Sequence, residues 1–296
     1  MTAKDKKQSF RFVDPHVHFY DMKHPTLHYA HWQPDQDHPT LGAQTRKLGE
    51  KNYLAQDFLK ESQPHQTEKC VHVQAAIGSK DPVEETKWLQ EAQKQTGAPN
   101  AIVGYVDLRH KNAQQVIEQH LHYSAFKGIR DFSYGDYLAS DDFQRGFALL
   151  SRYNLISSMP AEWQDMEKLI ILAKKNPETV IVLNHTGLPS ERTRDYFLQW
   201  RKGMTIATEA ENIYCQISGL GMADNNWTID SIMPYVETAI ELFGTNRSFF
   251  ATNWPIDSLW SDYGTVVNTY RKITTSYTEA EKEALFALNA ETIYKI

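Results

Sequence analysis

Cysteine is scarce in this chain: only Cys70 and Cys215 occur in 296 residues. Neither belongs to a paired-cysteine or cysteine-histidine ligand motif and each sits in an apolar run. The expectation is two small buried thiols, not a disulfide framework or a cysteine-held metal. No apolar stretch is long enough to cross a bilayer or to form the core of a signal peptide, and residues 1–9 are polar and charged. A soluble cytoplasmic protein is expected, with no membrane partner. Basic charge is not in excess either, since 31 Lys and Arg face 37 Asp and Glu for a net charge of −6. No basic run is interleaved with aromatics, so nucleic acid is not an expected partner. A Gly-x-Ser-x-Gly elbow, a phosphate-binding Walker loop and a complete Gly-x-Gly-x-x-Gly are also missing, Gly219-Leu220-Gly221 being only a fragment. Serine-triad and nucleotide-dependent chemistry therefore rank behind a histidine-centred site.

What the chain does have is apolar material for one large core, with an apolar fraction of 41% and seven Trp, fifteen Tyr and thirteen Phe. Short apolar runs alternate with longer amphipathic ones, the pattern of repeated strand–helix units around a parallel sheet. Eight strands are expected at 12–18, 70–76, 101–107, 126–131, 155–159, 179–184, 213–218 and 248–253. Helices are expected at 55–62, 83–96, 113–122, 141–153, 164–175, 191–210 and 229–243, with an eighth helical region after the last strand that ends with 278–289. Asp81-Pro82 before 83–96, and Thr278 before Glu279-Ala280-Glu281, read as helix starts. Eight units close a single (β/α)8 barrel, here α/β with a long first βα loop. Residues 1–10 are expected to form a disordered or extended tail and residues 11–296 the barrel.

Barrel enzymes carry reactive groups at the C-terminal ends of their strands. The first strand holds His16 and His18, which share a face because side chains alternate along a strand. Later strands offer Gln74, Arg130, Gln216, Ser218 and Asn253, with His185 following the sixth strand and Asp257 lying just past the eighth. Two histidines from one strand and His185 from across the barrel suit a divalent ion, Zn²⁺ or Mn²⁺, with a position left for water. Neutral imidazoles that position a substrate or move protons account for the same residues, so metal-independent catalysis stands beside metal binding. Arg130 presents a rigid fork to a carboxylate or carbonyl oxygen, or else pairs with Asp107, Asp131 or Asp136. Gln74 and Gln216 can donate amide hydrogen bonds to a polar substrate or satisfy backbone groups. The excursion 19–53, with His24, His28, His31, His38, Tyr29 and Trp32, is either a lid that shapes the mouth through Trp32 or a packed surface loop.

Ordered blocks carry a resemblance: Val13-Asp14-Pro15-His16-Val17-His18, Gly104-Tyr105-Val106-Asp107-Leu108, Lys127-Gly128-Ile129-Arg130, Asn184-His185-Thr186-Gly187-Leu188-Pro189, Ile217-Ser218-Gly219-Leu220 and Phe250-Ala251-Thr252-Asn253-Trp254-Pro255. In order, they resemble the amidohydrolase-2 family, the TIM-barrel branch with sugar-acid lactonases and pyrone-dicarboxylate lactonases, over about residues 11–291. The resemblance implies a lactonase-like hydrolase of the carboxylic ester bond, in which water opens a small polar lactone. It implies that His16, His18 and His185 line the centre and that Arg130 binds a carboxylate or hydroxyl group of the substrate. The family usually carries aspartate, as Ser-Asp-Trp-Pro, where this chain has Asn253. An amide is a poor base and a weaker ligand than a carboxylate. Three accounts stand: Asp257 acts as base, a histidine does, or the machinery has changed. The alternatives are a decarboxylase or hydratase of the same superfamily and a catalytically altered binding protein. The expected partner is a hydroxylated or carboxylated lactone, and a homo-oligomer is compatible with the sequence.

Overall fold

A computed structural model describes residues 11–131 and 137–296. The expected tail of residues 1–10 and the Arg130 candidate partner Asp136 lie outside the described residues. Among those described, eight strands form one parallel sheet in the order of the chain: β1 Phe12–Val17, β2 Thr67–Val73, β3 Ala101–Gly104, β4 Phe126–Ile129, β5 Ile156–Met159, β6 Ile181–Leu183, β7 Ile213–Ile217 and β8 Ser248–Phe250. The runs are short and rich in Val and Ile because both faces of each strand are covered, one by the barrel interior and one by helices. The ends of the sheet meet where Val17 pairs in parallel with Trp254 and the His18 amide donates to the Trp254 carbonyl at 2.7 Å. This is the expected (β/α)8 TIM barrel.

Helices follow the strands, at Ala55–Ser62, Val83–Thr96, Ala113–His120, Asp141–Phe147, Met166–Lys175, Arg194–Ala207, Ile229–Phe243 and Tyr263–Ile273. Local chemistry sets several of their ends. The helix expected at 191–210 begins at Arg194 because the Thr193 hydroxyl accepts from the Tyr196 amide, which caps the first turn. The expected 141–153 helix breaks into Asp141–Phe147 and Leu149–Arg152. The region after β8 holds two units. Asp262 caps Tyr263–Ile273, and a reciprocal capping box between Thr278 and Glu281 starts a second run that ends in Asn289–Tyr294. That second run closes the N-terminal end of the barrel, where Ala290, Ile293 and Tyr294 pack with Val13, Val71, Val103, Val182 and Phe249 of the interior. Arg11 pins it with a bidentate pair to Glu291 at 2.8 Å and a contact to Glu283 at 2.6 Å, and Lys69 adds a further pair to Glu291.

The long first loop folds back over the other end. Tyr20 and Tyr53 exchange backbone hydrogen bonds at its neck, and its Ala30 amide reaches the Ile77 carbonyl beyond β2. Its turn Ala30–Trp32 buries Trp32, whose ring meets Tyr20 at 4.8 Å and the edge of His18 at 5.6 Å. Cys70 and Cys215 are buried free thiols, and no helix of the described residues is long and apolar enough to cross a membrane.

Candidate active site

His16 and His18 arrive from β1 and the residue after it, with a register shift in the β1–β2 ladder between Asp14 and Val17. Their ring centroids lie 4.9 Å apart, and the His185 ring stands 4.6 Å from that of His16. All three are buried. His18 Nδ1 lies 2.8 Å from the Val73 carbonyl, which can only accept, so Nδ1 carries the proton. His16 Nδ1 meets Gln216 Oε1 at 2.6 Å, and His185 Nδ1 meets the Ser218 hydroxyl at 2.9 Å. His16 Nε2 is buried without a hydrogen-bond partner among the described residues. Burial holds His16 and His185 well below the ordinary histidine pKa, and the nearby Arg130 charge and neighbouring imidazoles lower them further. His18 falls to about 3, chiefly through burial and then through Arg130 and His72, with the Val73 carbonyl and Asn253 opposing. At neutral pH the cluster is therefore three uncharged rings beside one guanidinium.

His185 is presented by an unusual turn. After β6 the backbone enters the left-handed region at His185, Thr186, Gly187 and Leu188, with φ of 52, 57, 68 and 54°. Non-glycine residues there cost about 1–2 kcal/mol each, so packing must hold the turn. The Trp200 indole N–H donates to the Thr186 carbonyl at 2.8 Å, and the Leu188 amide closes back on the His185 carbonyl at 2.9 Å. Across from it Gly219, at φ +62°, leaves room for the ring, since a Cβ there would sit 2.7 Å from His185 Nδ1.

Arg130 follows β4, buried at the mouth, and its charge is felt by all three imidazoles and by His31 of the long loop. Gln74 follows β2, also buried, and its Oε1 has no partner among the described residues. Gln216 points into the cluster, but its amide is engaged by His16 and by the Pro15 carbonyl. Asn253 follows β8 at φ +58° and donates through Nδ2 to Asp257 Oδ2 at 2.7 Å. Asp257 is buried behind that amide. Desolvation raises its pKa to about 7, opposed by hydrogen bonds from Asn253 and the Gly221 amide and reinforced by Asp14. The sequence-predicted residues His16, His18, His185, Asn253, Arg130 and Trp32 thus gather at one end of the barrel, with Asp257 one residue removed.

Two buried carboxylates escaped the sequence reading. Asp14 accepts from the Thr252 amide and hydroxyl and from the Tyr263 hydroxyl, which ties β1 to the segment after β8 beneath the site. Burial raises it to about 6 despite those hydrogen bonds. Glu85 accepts from the Ala75 and Ala76 amides and from His72 Nε2, while His72 Nδ1 accepts from the Phe19 amide. The available signal was an acidic or basic residue inside an otherwise apolar run, namely Asp14 in β1 and His72 in β2.

Imidazoles anchored through Nδ1 have the tautomer that metal ligation uses. Among the described residues, however, no three His, Cys, Asp or Glu side chains are arranged to hold an ion, and position 253 supplies an amide. The described residues therefore hold no assembled metal site.

A (β/α)8 barrel with buried imidazoles and a guanidinium gathered over one mouth defines a TIM-barrel protein with a polar site at its strand ends. The chain belongs to the amidohydrolase family, whose pattern it matches over residues 13–296. It is 35% identical to the uncharacterized protein y4mH of Sinorhizobium fredii, over 96% of this chain and 98% of that one. It is 25% identical to an L-fucono-1,5-lactonase of Burkholderia ambifaria, over 85% of this chain and 84% of the other. A crystal structure of an amidohydrolase from Burkholderia multivorans with bound zinc superposes with a TM-score of 0.84 at 22% identity, covering 97% of this chain and all of that one.

Proposed function

We propose that this protein opens a small polar lactone by adding water to its ester carbonyl. The observation that carries the reading is the group of three uncharged, buried imidazoles beside Arg130 at the barrel mouth. The lactonase name of the Burkholderia ambifaria relative supports a cyclic ester as the substrate class.

In this reading Arg130 binds a carboxylate or hydroxyl group of the substrate and faces the oxyanion that forms when water adds. His16, with an open Nε2, takes the proton from that water. Its base strength is low in the empty site because desolvation and Arg130 oppose a second positive charge. It rises as negative charge develops on the carbonyl oxygen and offsets the guanidinium. When the ring C–O bond breaks, the proton on His16 passes to the leaving oxygen, and a hydroxy acid results. His185 lines the same space as an acceptor for the water and for substrate hydroxyls. Asn253, held by Asp257, orients His18 and does not act as the base. Trp32 and Gln74 form the wall against which the lactone ring lies.

A panel of hydroxylated and carboxylated lactones, followed by acid release with and without chelator, tests this. Acid is expected with at least one, and His16→Asn is expected to lower kcat by about 10²–10⁴. Turnover is expected to survive chelation, since position 253 supplies an amide, a weaker ligand than a carboxylate. Carbon dioxide release in place of simple acid release, or no turnover across the panel, would overturn the reading.

A further inference from the structure

The side chain of Gln216, at the end of β7, is held in one orientation. Its Nε2 faces the Pro15 carbonyl at 3.3 Å, and a carbonyl can only accept, so the amide nitrogen must lie on that side. Oε1 is therefore the atom turned to the histidines. It receives His16 Nδ1 at 2.6 Å, the Ser218 hydroxyl at 3.4 Å and Asn184 Nδ2 at 3.5 Å. An oxygen acceptor at Nδ1 requires the His16 proton to sit on Nδ1, which leaves Nε2 with its lone pair. The Ser218 hydroxyl can turn its proton to the same oxygen, and in that arrangement Ser218 accepts from His185 Nδ1 and gives that ring the same tautomer.

We propose that Gln216 is a positioning residue that sets the tautomers of His16 and His185 together, through one carbonyl oxygen shared by a direct contact and a serine relay. It thereby fixes which ring nitrogen faces the substrate. Among the described residues, the Gln216 amide and the Ser218 hydroxyl are the groups bonded to these two Nδ1 atoms. The kinetic consequence rests on the hydrolytic role given to His16 above, whereas the tautomer assignment does not. An imidazole with the wrong tautomer in a hydrolase costs as much as about 10⁴ in kcat.

The test separates the two. Histidine ¹⁵N NMR of the intact wild-type protein reads the tautomers without substrate, with resonances assigned by His16→Gln and His185→Gln. Protonated Nδ1 is expected at both rings. Ser218→Ala is expected to release His185 alone, and Gln216→Leu to release both. Gln216→Glu keeps the acceptor, so it retains the Nδ1–H form of His16 and guards against a Leu variant that fails to fold. On an active lactone, Gln216→Leu should lower kcat about 10²-fold or more with KM changed less than about threefold, and Gln216→Glu should restore part of kcat while moving the acid limb of the pH profile upward. Nε2-protonated His16 in the wild type, or an unchanged His16 tautomer in a folded Gln216→Leu, would overturn the proposal. If the tautomers shift as described but no lactone is turned over, the hydrolytic reading fails and the positioning role stands.

Discussion

Asn253 and Asp257 show how much one atom decides at the site. The amide donates to the buried carboxylate at 2.7 Å and also favours the protonated form of His18. A carboxylate at position 253 would face a second carboxylate at that spacing, and two such groups cannot both ionise. Asn253→Asp is therefore expected to bind one extra proton near neutrality and to lose stability relative to the wild type between pH 5 and pH 8. Urea unfolding at the two pH values measures this, and an equal penalty at both would show that the pair is not coupled. The same contact gives the amide a buried partner: the carboxyl group lies four residues further along the chain.

At the scale of elements, the site depends on two irregular segments and not on the strands alone. The left-handed turn His185–Leu188 swings one imidazole toward His16, and the segment after β7 must leave space for it. Gly219→Ala brings a Cβ within 2.7 Å of His185 Nδ1 and places a side chain at φ +62°. The backbone conformation alone costs about 1–2 kcal/mol, and the ring must move as well. The expected outcome is a loss of activity on the best lactone much larger than the loss of stability, with kcat falling about tenfold or more while the variant remains folded by circular dichroism. Unchanged kcat would mean that His185 tolerates displacement. These turns were only partly legible in advance. Asn184-His185-Thr186-Gly187 places a histidine at a strand end, but a glycine in the fourth position gives no sign that its two predecessors also adopt positive φ. That conformation is held by Trp200, which comes back from the following helix, Arg194–Ala207.

For the whole molecule, buried ionisable groups set the pH response. Asp14 and Asp257 hold their protons up to about 6 and about 7, above the ordinary carboxylate value near 3.8. Each binds protons more tightly in the folded chain. Each therefore supports the fold most fully below about pH 4 and withdraws that support as pH rises through its folded pKa. The buried histidines act in the opposite sense, being neutral in the fold and charged when released into acid. Asp257→Asn isolates the carboxylate contribution. The stability of the wild type relative to this variant is expected to fall from pH 4 to pH 7 and then level, by as much as a few kcal/mol as judged by urea unfolding. A difference that does not vary with pH would show that Asp257 titrates normally.

The sequence by itself determined the eight strand–helix units, the family blocks and the polar residues at the strand ends, because parallel strands buried on both faces must be short apolar runs and a residue such as Arg130 or His185 at their end is conspicuous. His16 and His18 were legible from strand alternation, and the long loop from its lack of periodicity. What only the tertiary structure decided is which groups share a hydrogen bond. Gln216 lies two hundred residues from His16, Asp14 is joined to Thr252 and Tyr263 only when β1 meets the segment after β8, and Trp32 reaches His18 only after the loop neck closes at Tyr20 and Tyr53. Local pattern reports which face of an element is buried. Tautomer, proton affinity and the reach of a side chain depend on partners that barrel closure brings within about 3 Å, a distance to which sequence separation gives no guide.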